Sequence, residues 1–519
     1  MKTLSPALIY TLIVSLGGFI FGFDASVISG TVGFVSREFD LTTWQQGMVV
    51  SAPTLGGILA MLVAGAISDA IGRRKTLIII ALLYVFSALA SALASSFEML
   101  VLARFIGGLA FCSLMIAPIY IAEISAPEQR GRMVSINQLN IVFGFSVSYF
   151  SNYFLLQCSQ SGAEWVSNIA LDTQTWRWML GLELIPAIAW FVLLFRIPRS
   201  PRWLMMTNQT EEARKVLATD LAESEVEEKL STIRHSLDGQ TPPLSERIRA
   251  LGAKSMRWPL FIGLILAIAQ QATGINVIFF YAPTIFEQSG VGTNAAFVQA
   301  TWIGVVNVIF TLVAMYIIDR GGRKPLLVIG LSGIVLSMAL CAYGFKQATY
   351  QLSEAAITEF VQSNPGVEPE HFAALQTQVY GSDIEFKQAL QMHLGEAAAK
   401  IHEGELLRLA GSMNSTLILI GITAFVASFA MSLGPVMWVM FSEIFPNHVR
   451  GVAISLVSVI NGLVSFLTQL VFPWELANLG AAYTFAVFGL FALVGLIFVL
   501  RYLPETKGRT LEEMQQAFK

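Results

Sequence analysis

Charge is scarce in this chain. Asp, Glu, Lys and Arg make up 13% of its 519 residues, where soluble domains carry about 25%. That scarcity excludes one or two globular domains that stay in solution. Cysteine is nearly absent: Cys112, Cys158 and Cys341 lie far apart and lack metal-ligand spacing, which argues against a disulfide framework. Basic runs are missing, and the net charge is −3, so nothing points to nucleic acid as a partner. The first apolar stretch, 8–28, lacks the small-residue exit of a cleaved signal peptide and reads as a retained membrane span.

Hydrophobic residues, by contrast, make up 55% of the chain. Runs long enough to cross about 30 Å of hydrocarbon fall at 6–30, 46–67, 76–96, 99–122, 133–155 and 177–197, then at 257–286, 297–318, 325–345, 412–438, 449–472 and 480–503. The expected fold class is an all-α membrane protein of twelve transmembrane helices in two six-helix halves, 1–197 and 257–503. Between them, 198–256 is polar, and "TEEARKVLATDLAESEVEEKL" has the charge pairing of amphipathic surface helices. Lys and Arg concentrate on the side that holds both termini, including the tail 504–519. The positive-inside rule puts that side in the cytoplasm.

The chain repeats itself. "GAISDAIGRRK" after span 2 resembles "MYIIDRGGRK" after span 8, and "EISAPEQRG" after span 4 resembles "EIFPNHVRG" after span 10. The second pair of motifs is offset further than the first, by about the length of 346–411. That polar stretch is an insertion between spans 9 and 10 on the outer face. Ser382 to Glu385 opens a capping-box pattern, so a partly helical cap is expected. His371, His393 and His402 lie in it, but His393 and His402 are not three or four residues apart on one helix face, so metal is not expected. Parallel halves of this kind place a substrate site at their interface near the midplane.

The loop motifs read as charge clamps. Asp69 precedes Arg73 and Arg74, and Asp319 precedes Arg323; Glu123 and Glu443 end spans, and Arg130 and Arg450 begin the next. Acid beside base at neighbouring helix ends can form ion pairs that hold the inner side shut and break when the halves rock. Simple anchoring by Lys and Arg is the plainer alternative, but anchoring needs no carboxylates.

Polar groups inside spans need a reason, since each unpaired amide in hydrocarbon costs several kcal/mol. Gln270, Gln271 and Asn276 crowd one stretch of span 7; Gln138, Asn307 and Asn461 lie near mid-depth elsewhere. A carboxamide offers a donor and an acceptor on one plane, which suits adjacent hydroxyls of a neutral sugar. On an ideal helix Gln271 and Asn276 stand about 140° apart, so both reach one ligand only if the span bends, and Gly274 supplies that freedom. Hydrogen bonding between helices with no ligand is the alternative. Three charges, Asp24 in span 1, Arg104 in span 4 and Glu183 in span 6, fall at a similar depth and can meet. Intramembrane charges are costly and usually functional; a structural buried ion pair is the other reading.

Together the two Gly-Arg loops, "PRSPRWL", "QQATGIN", "GPVMWVMFSEIFP" and "LPETKGRTLEE" resemble the sugar porter family of the major facilitator superfamily, nearest in pattern to its bacterial sugar–proton symporters. The resemblance spans the chain apart from 346–411. It implies sugar contacts at Gln138, Gln270, Gln271, Asn276, Asn307, Trp438 and Asn461, and proton coupling at Asp24 with Arg104 and Glu183. It implies a monomer in the bacterial inner membrane with a monosaccharide and protons as partners and no cofactor or metal. Where the symporters carry a further Gln this chain has Phe145, and where Trp often follows the position of Asn461 it has Gly462. Both alter the pocket wall and leave the sugar open. An uncoupled sugar facilitator is the runner-up. A transporter-like sensor would need a signalling tail, and the segment after Leu503 is short. A drug–proton antiporter would share the loops but needs no run of neutral amides.

Overall fold

A polar backbone crosses hydrocarbon only by bonding to itself, so apolar runs of this length become helices. The computed structural model describes residues 5–126, 129–219, 223–238, 244–364, 372–376, 378–446 and 449–507; a few side chains within its helices, Asp319 among them, lie outside the description. Among the described residues twelve helices are long and apolar enough to cross a bilayer. Spans 1 to 6 are Pro6–Glu38, Thr43–Ile71, Arg73–Ala92, Phe97–Ile124, Arg130–Ser159 and Thr175–Arg196. Spans 7 to 12 are Lys254–Phe280, Thr293–Ile318, Arg323–Lys346, Ser415–Ile444, Arg450–Asn478 and Gly480–Tyr502. An even number of crossings brings both chain ends to one face, the terminal face. The opposite face carries the insertion and is the cap face.

Several spans are broken where their sequence permits it. Span 4 tightens into a 3₁₀ turn at Ala110–Cys112. Span 6 divides between Gly181 and Leu184, around Glu183. Span 7 breaks at Gly274, which has φ 88° between helices Arg257–Ala272 and Ile275–Phe280. A Cβ there would lie 2.7 Å from the Phe488 ring, so the position is closed to other residues on two counts. Span 10 breaks at Ser432, just ahead of Gly434 and Pro435.

The polar stretches fold as small bodies. Between the halves lie helices Pro201–Met206, Thr210–Leu217, Glu223–Asp238 and Leu244–Leu251. Trp203, Leu204, Leu217, Val226 and Leu230 give the first three a core of their own, as their amphipathic pattern requires. The insertion forms a cap from Glu354–Ser363, Ala373–Gln376, Asp383–Leu394 and Glu396–Ala410. Its neck is not helical: Thr349 and Tyr350 pair antiparallel with Ser412 and Gly411. Ser382 Oγ accepts from the Glu385 amide at 3.2 Å, and Glu385 turns back to the Gly381 amide at 3.1 Å. Tyr350, Phe360, Phe372, Phe386 and Leu406 fill the cap's core. His402 meets the Phe360 ring edge-on at 5.0 Å, and His371 lies outside the described residues. The cap packs on the segment Ala282–Gln288 after span 7 and on span 12, both in the C-terminal half.

The halves touch mainly along spans 2 and 11, 5 and 8, and 1 and 7. Trp44 stacks on Trp474 with centroids 6.3 Å apart. Ser146 Oγ donates to the Gly304 carbonyl at 2.7 Å, Tyr149 Oη donates to the Phe279 carbonyl, and Gln157 Nε2 donates to Asn294 at 2.9 Å. Among the described residues every hydrogen bond between the halves falls in the cap-side portion of its spans. The molecule is therefore shut on the cap face. Gly47 is the tightest point of that closure, because a Cβ on it would overlap the Leu470 carbonyl. Gly47→Trp is expected to hold the halves apart on the cap side while the protein stays folded. Spin-label distances between the cap-side ends of spans 2 and 11 should lengthen, and a native distance distribution would contradict this account.

Candidate transport site

The break at Gly274 returns Asn276 toward the residues before it. Asn276 Nδ2 donates to Gln271 Oε1 at 3.0 Å and to Ser465 Oγ at 2.6 Å. Gln271 Nε2 donates to Gln270 Oε1 and to Asn461 Oδ1, both at 3.2 Å. Asn461 Nδ2 donates to Gln270 Oε1 at 2.8 Å and to the Ala267 carbonyl at 2.9 Å, and Gln270 Nε2 donates to the Leu433 carbonyl at 3.1 Å. Four amides thus converge from spans 7 and 11, and the Gln270 contact ties them to the break in span 10. Gln271, Asn276 and Asn461 each spend both amide protons inside the protein. A sugar binding here has to exchange its hydroxyls for amide–amide bonds, a trade of like for like.

Asn307, Gln138 and Trp438 make no hydrogen bond to that cluster among the described residues. Asn307 is buried in span 8, Gln138 is exposed on span 5, and Trp438 is 44% exposed with its ring edge-on to Phe441. Phe145 packs against Phe279 of the other half at 5.1 Å, and Gly462 leaves room for Ile58 across the interface. Residues that sequence reasoning missed complete the network. Ser465 and Gln469 follow Asn461 at four-residue intervals on one helix face, a polar stripe that was present to be read.

The three charges meet in the N-terminal half. Asp24 and Arg104 form an ion pair, and Arg104 Nη2 also donates to the Asp24 carbonyl at 3.1 Å. Glu183 faces both. All three side chains are at most 2% exposed, so the pair exists because neither charge has water to turn to. Asp24 Oδ2, Arg104 Nε and Glu183 Oε1 have no hydrogen-bond partner among the described residues. Gly107, one turn beyond Arg104, keeps the approach to Asp24 free of a side chain.

The loop motifs need correction. Arg73 binds Glu123 at 3.0 Å and Asp69 at 2.6 Å, and Arg323 binds Glu443 at 2.8 Å. The Arg73–Asp69 pair joins spans 2 and 3, the Arg73–Glu123 pair spans 3 and 4, and the Arg323–Glu443 pair spans 9 and 10, each within one half. They brace the halves rather than clamp one to the other. Among the described residues Arg130 and Arg450 make no ion pair with these acids; they donate to the carbonyls of Ala122 and Phe445, both at 3.1 Å. Arg74 donates to the Leu194 and Phe195 carbonyls at the end of span 6, where the helix dipole favours a cation. The Asp319 side chain lies outside the described residues. Both braces gain a third member from beyond the spans. Ser200 Oγ donates to Glu123 at 2.5 Å, and Thr506 Oγ1 donates to Glu443 at 2.5 Å.

Two six-helix halves, a neutral amide cluster at a helix break and a buried charge triad define a secondary transporter of the alternating-access kind. The family model described as sugar (and other) transporter matches residues 10–361 and 391–518. The chain belongs to the sugar porter family of the major facilitator superfamily, a family of transporters and not of enzymes. The arabinose-proton symporter of Bacillus subtilis is 33% identical, with 96% of this chain and 92% of that protein covered. The D-xylose-proton symporter of Escherichia coli is 31% identical, with 97% and 94% covered. The inward-open structure of the E. coli xylose transporter XylE superposes with a TM-score of 0.72 at 29% identity, covering 98% of this chain and 99% of that one.

Glu505 completes the brace of the C-terminal half. Its carboxylate accepts from the Arg323 and Lys324 amides at 3.0 Å, at the start of span 9. Burial pushes its pKa up, but backbone amides of Lys507, Arg323, Lys324 and Thr506 outweigh it and hold the carboxyl below its ordinary value. A depressed folded pKa means the stabilisation is present above the unfolded pKa, about 4.3 for Glu, and is lost as pH falls through the folded value. Glu505→Gln should lower the melting temperature in detergent at neutral pH, and the gap from the native protein should narrow on acidification. A gap that is constant with pH would refute the assignment.

Proposed function

We propose that this chain is a proton-coupled symporter that carries a neutral monosaccharide inward by alternating access. One observation carries the reading. A cluster of uncharged amides occupies the C-terminal half, while an acid–base–acid triad is buried in the N-terminal half. The arabinose- and xylose-proton symporters among its relatives support both the sugar class and the proton. The sugar contacts are Gln270, Gln271, Asn276 and Asn461, joined by Asn307 and Trp438 from spans 8 and 10 and by Gln138 from span 5 of the other half.

With every member ionised, Asp24, Arg104 and Glu183 carry one net negative charge. A proton on Asp24 removes it and releases Arg104 toward Glu183, whose Oε1 has no hydrogen-bond partner among the described residues. Proton binding thereby changes which spans are tied together, and so biases which face opens. The terminal face lies in the cytoplasm of a bacterial inner membrane, as its Lys and Arg excess supports. Closure on the cap face makes the described conformation inward-open. The working unit is a monomer.

Asp24→Asn should abolish uphill accumulation in vesicles while sugar exchange continues. Accumulation that survives the substitution would leave proton symport without its residue. Gln271→Ala should raise the KM for exchange about tenfold, the loss of one to two net hydrogen bonds. An unchanged KM would place the sugar elsewhere.

A further inference from the structure

Gln469 lies two turns beyond Asn461 on span 11 and is fully buried. Its Nε2 donates to Ser465 Oγ at 2.8 Å, and the same Ser465 Oγ accepts from Asn276 at 2.6 Å. Its Oε1 accepts from Thr54 Oγ1 at 3.0 Å. Thr54 belongs to span 2 of the other half. The Gln469 carbonyl also accepts from Tyr281 Oη at 3.1 Å, at the end of the second piece of span 7. One line of hydrogen bonds therefore runs from an amide of the sugar cluster, through Ser465 and Gln469, across the interface to Thr54.

We infer that Gln469 is a positioning residue whose bond to Thr54 latches the cap face and reports sugar occupancy at Asn276 to the opposite half. The inference rests on the sugar reading of the amide cluster. A buried carboxamide has no water to fall back on, so its bonds rearrange together. When a hydroxyl takes over Asn276 Nδ2, Ser465 loses one donor and Gln469 is free to turn. The Thr54 bond is then the contact between halves that weakens. Span 2 passes the change onward by packing. The carbonyl of Pro53, next to Thr54, lies against Gly108 of span 4, and Gly107 beside it abuts Asp24. Span 4 also carries Arg104, so the line ends at the proton triad. The sequence hid this link because Thr54 and Gln469 lie in different halves and neither belongs to a loop motif.

The test compares Thr54→Val and Gln469→Met, which keep size and remove the bond, with Thr54→Ser, which keeps the hydroxyl. Spin-label distances between the cap-side ends of spans 2 and 11 are measured in lipid vesicles, without sugar and with D-xylose, L-arabinose and D-glucose in turn. Without sugar, both bond-removing variants should shift the population toward an open cap face by about fivefold, the equilibrium equivalent of one ordinary hydrogen bond. Thr54→Ser should match the native protein. Sugar should move the native protein toward the open state and move the two bond-removing variants less. If none of the sugars moves the native protein while the sugar-free shift is seen, the sugar reading falls and the latch stands. If sugar moves Thr54→Val as far as it moves the native protein, and the variant shows no shift without sugar, the latch falls alone. A Gln469→Met protein that folds and shows native distances overturns the latch as well.

Discussion

In hydrocarbon a polar group has nothing to bond to except the protein around it. That constraint organises this molecule. It makes the twelve spans helical, and it forces each departure from helix to sit where neighbouring side chains or a packed interior can absorb it. The break at Gly274 lies against Phe488. The division of span 6 lies at Glu183, beside Asp24 and Arg104. The same constraint ties the amides to one another, since each would otherwise leave donors unpaired. On the proposed reading, a neutral sugar enters such a cluster because it replaces bonds instead of demanding new ones, and a proton works the triad because it changes the charge count by one.

Duplication supplies the frame. Arg73, Glu123 and Ser200 in one half match Arg323, Glu443 and Thr506 in the other. Each set fastens two adjacent spans at the terminal face and draws in a segment from beyond the bundle. Rigid halves are what a rocking mechanism requires, because motion is then concentrated at the interface. The match is not complete. Glu505 fills the start of span 9 with a carboxylate, whereas the residue preceding Ser200 is Arg199, which instead reaches Glu212 at 3.4 Å.

Much of this was legible from residues alone. Span positions followed from apolar run lengths, and the repeat followed from two motif pairs. The bend at Gly274 followed from helix geometry, and the meeting of Asp24 with Arg104 followed from depth counted along two helices. Asp69 pairs with its chain neighbour Arg73, as helix-end acids and bases suggest, but the partner of Glu123 was not legible. Glu123 is near Arg130 in sequence, yet span 4 packs beside the start of span 3, so Arg73 reaches it first. Side-chain exposure was equally hidden. Trp438 carries an aromatic ring suited to a sugar face, but its orientation depends on the break at Ser432, and periodicity does not encode the backbone turn there. Which face is shut depends on how two rigid bodies lean, and no single span records that.

The cap has a consequence of its own. It is a folded body with a private core, seated on the C-terminal half through the segment after span 7 and through span 12. Any tilt of that half therefore swings the cap as a lever whose tip travels further than the membrane-buried contacts do. Bulk outside the bilayer becomes an amplifier of small angular changes, and a binder that bridged the cap to the N-terminal half would arrest the cycle without touching the sugar pathway.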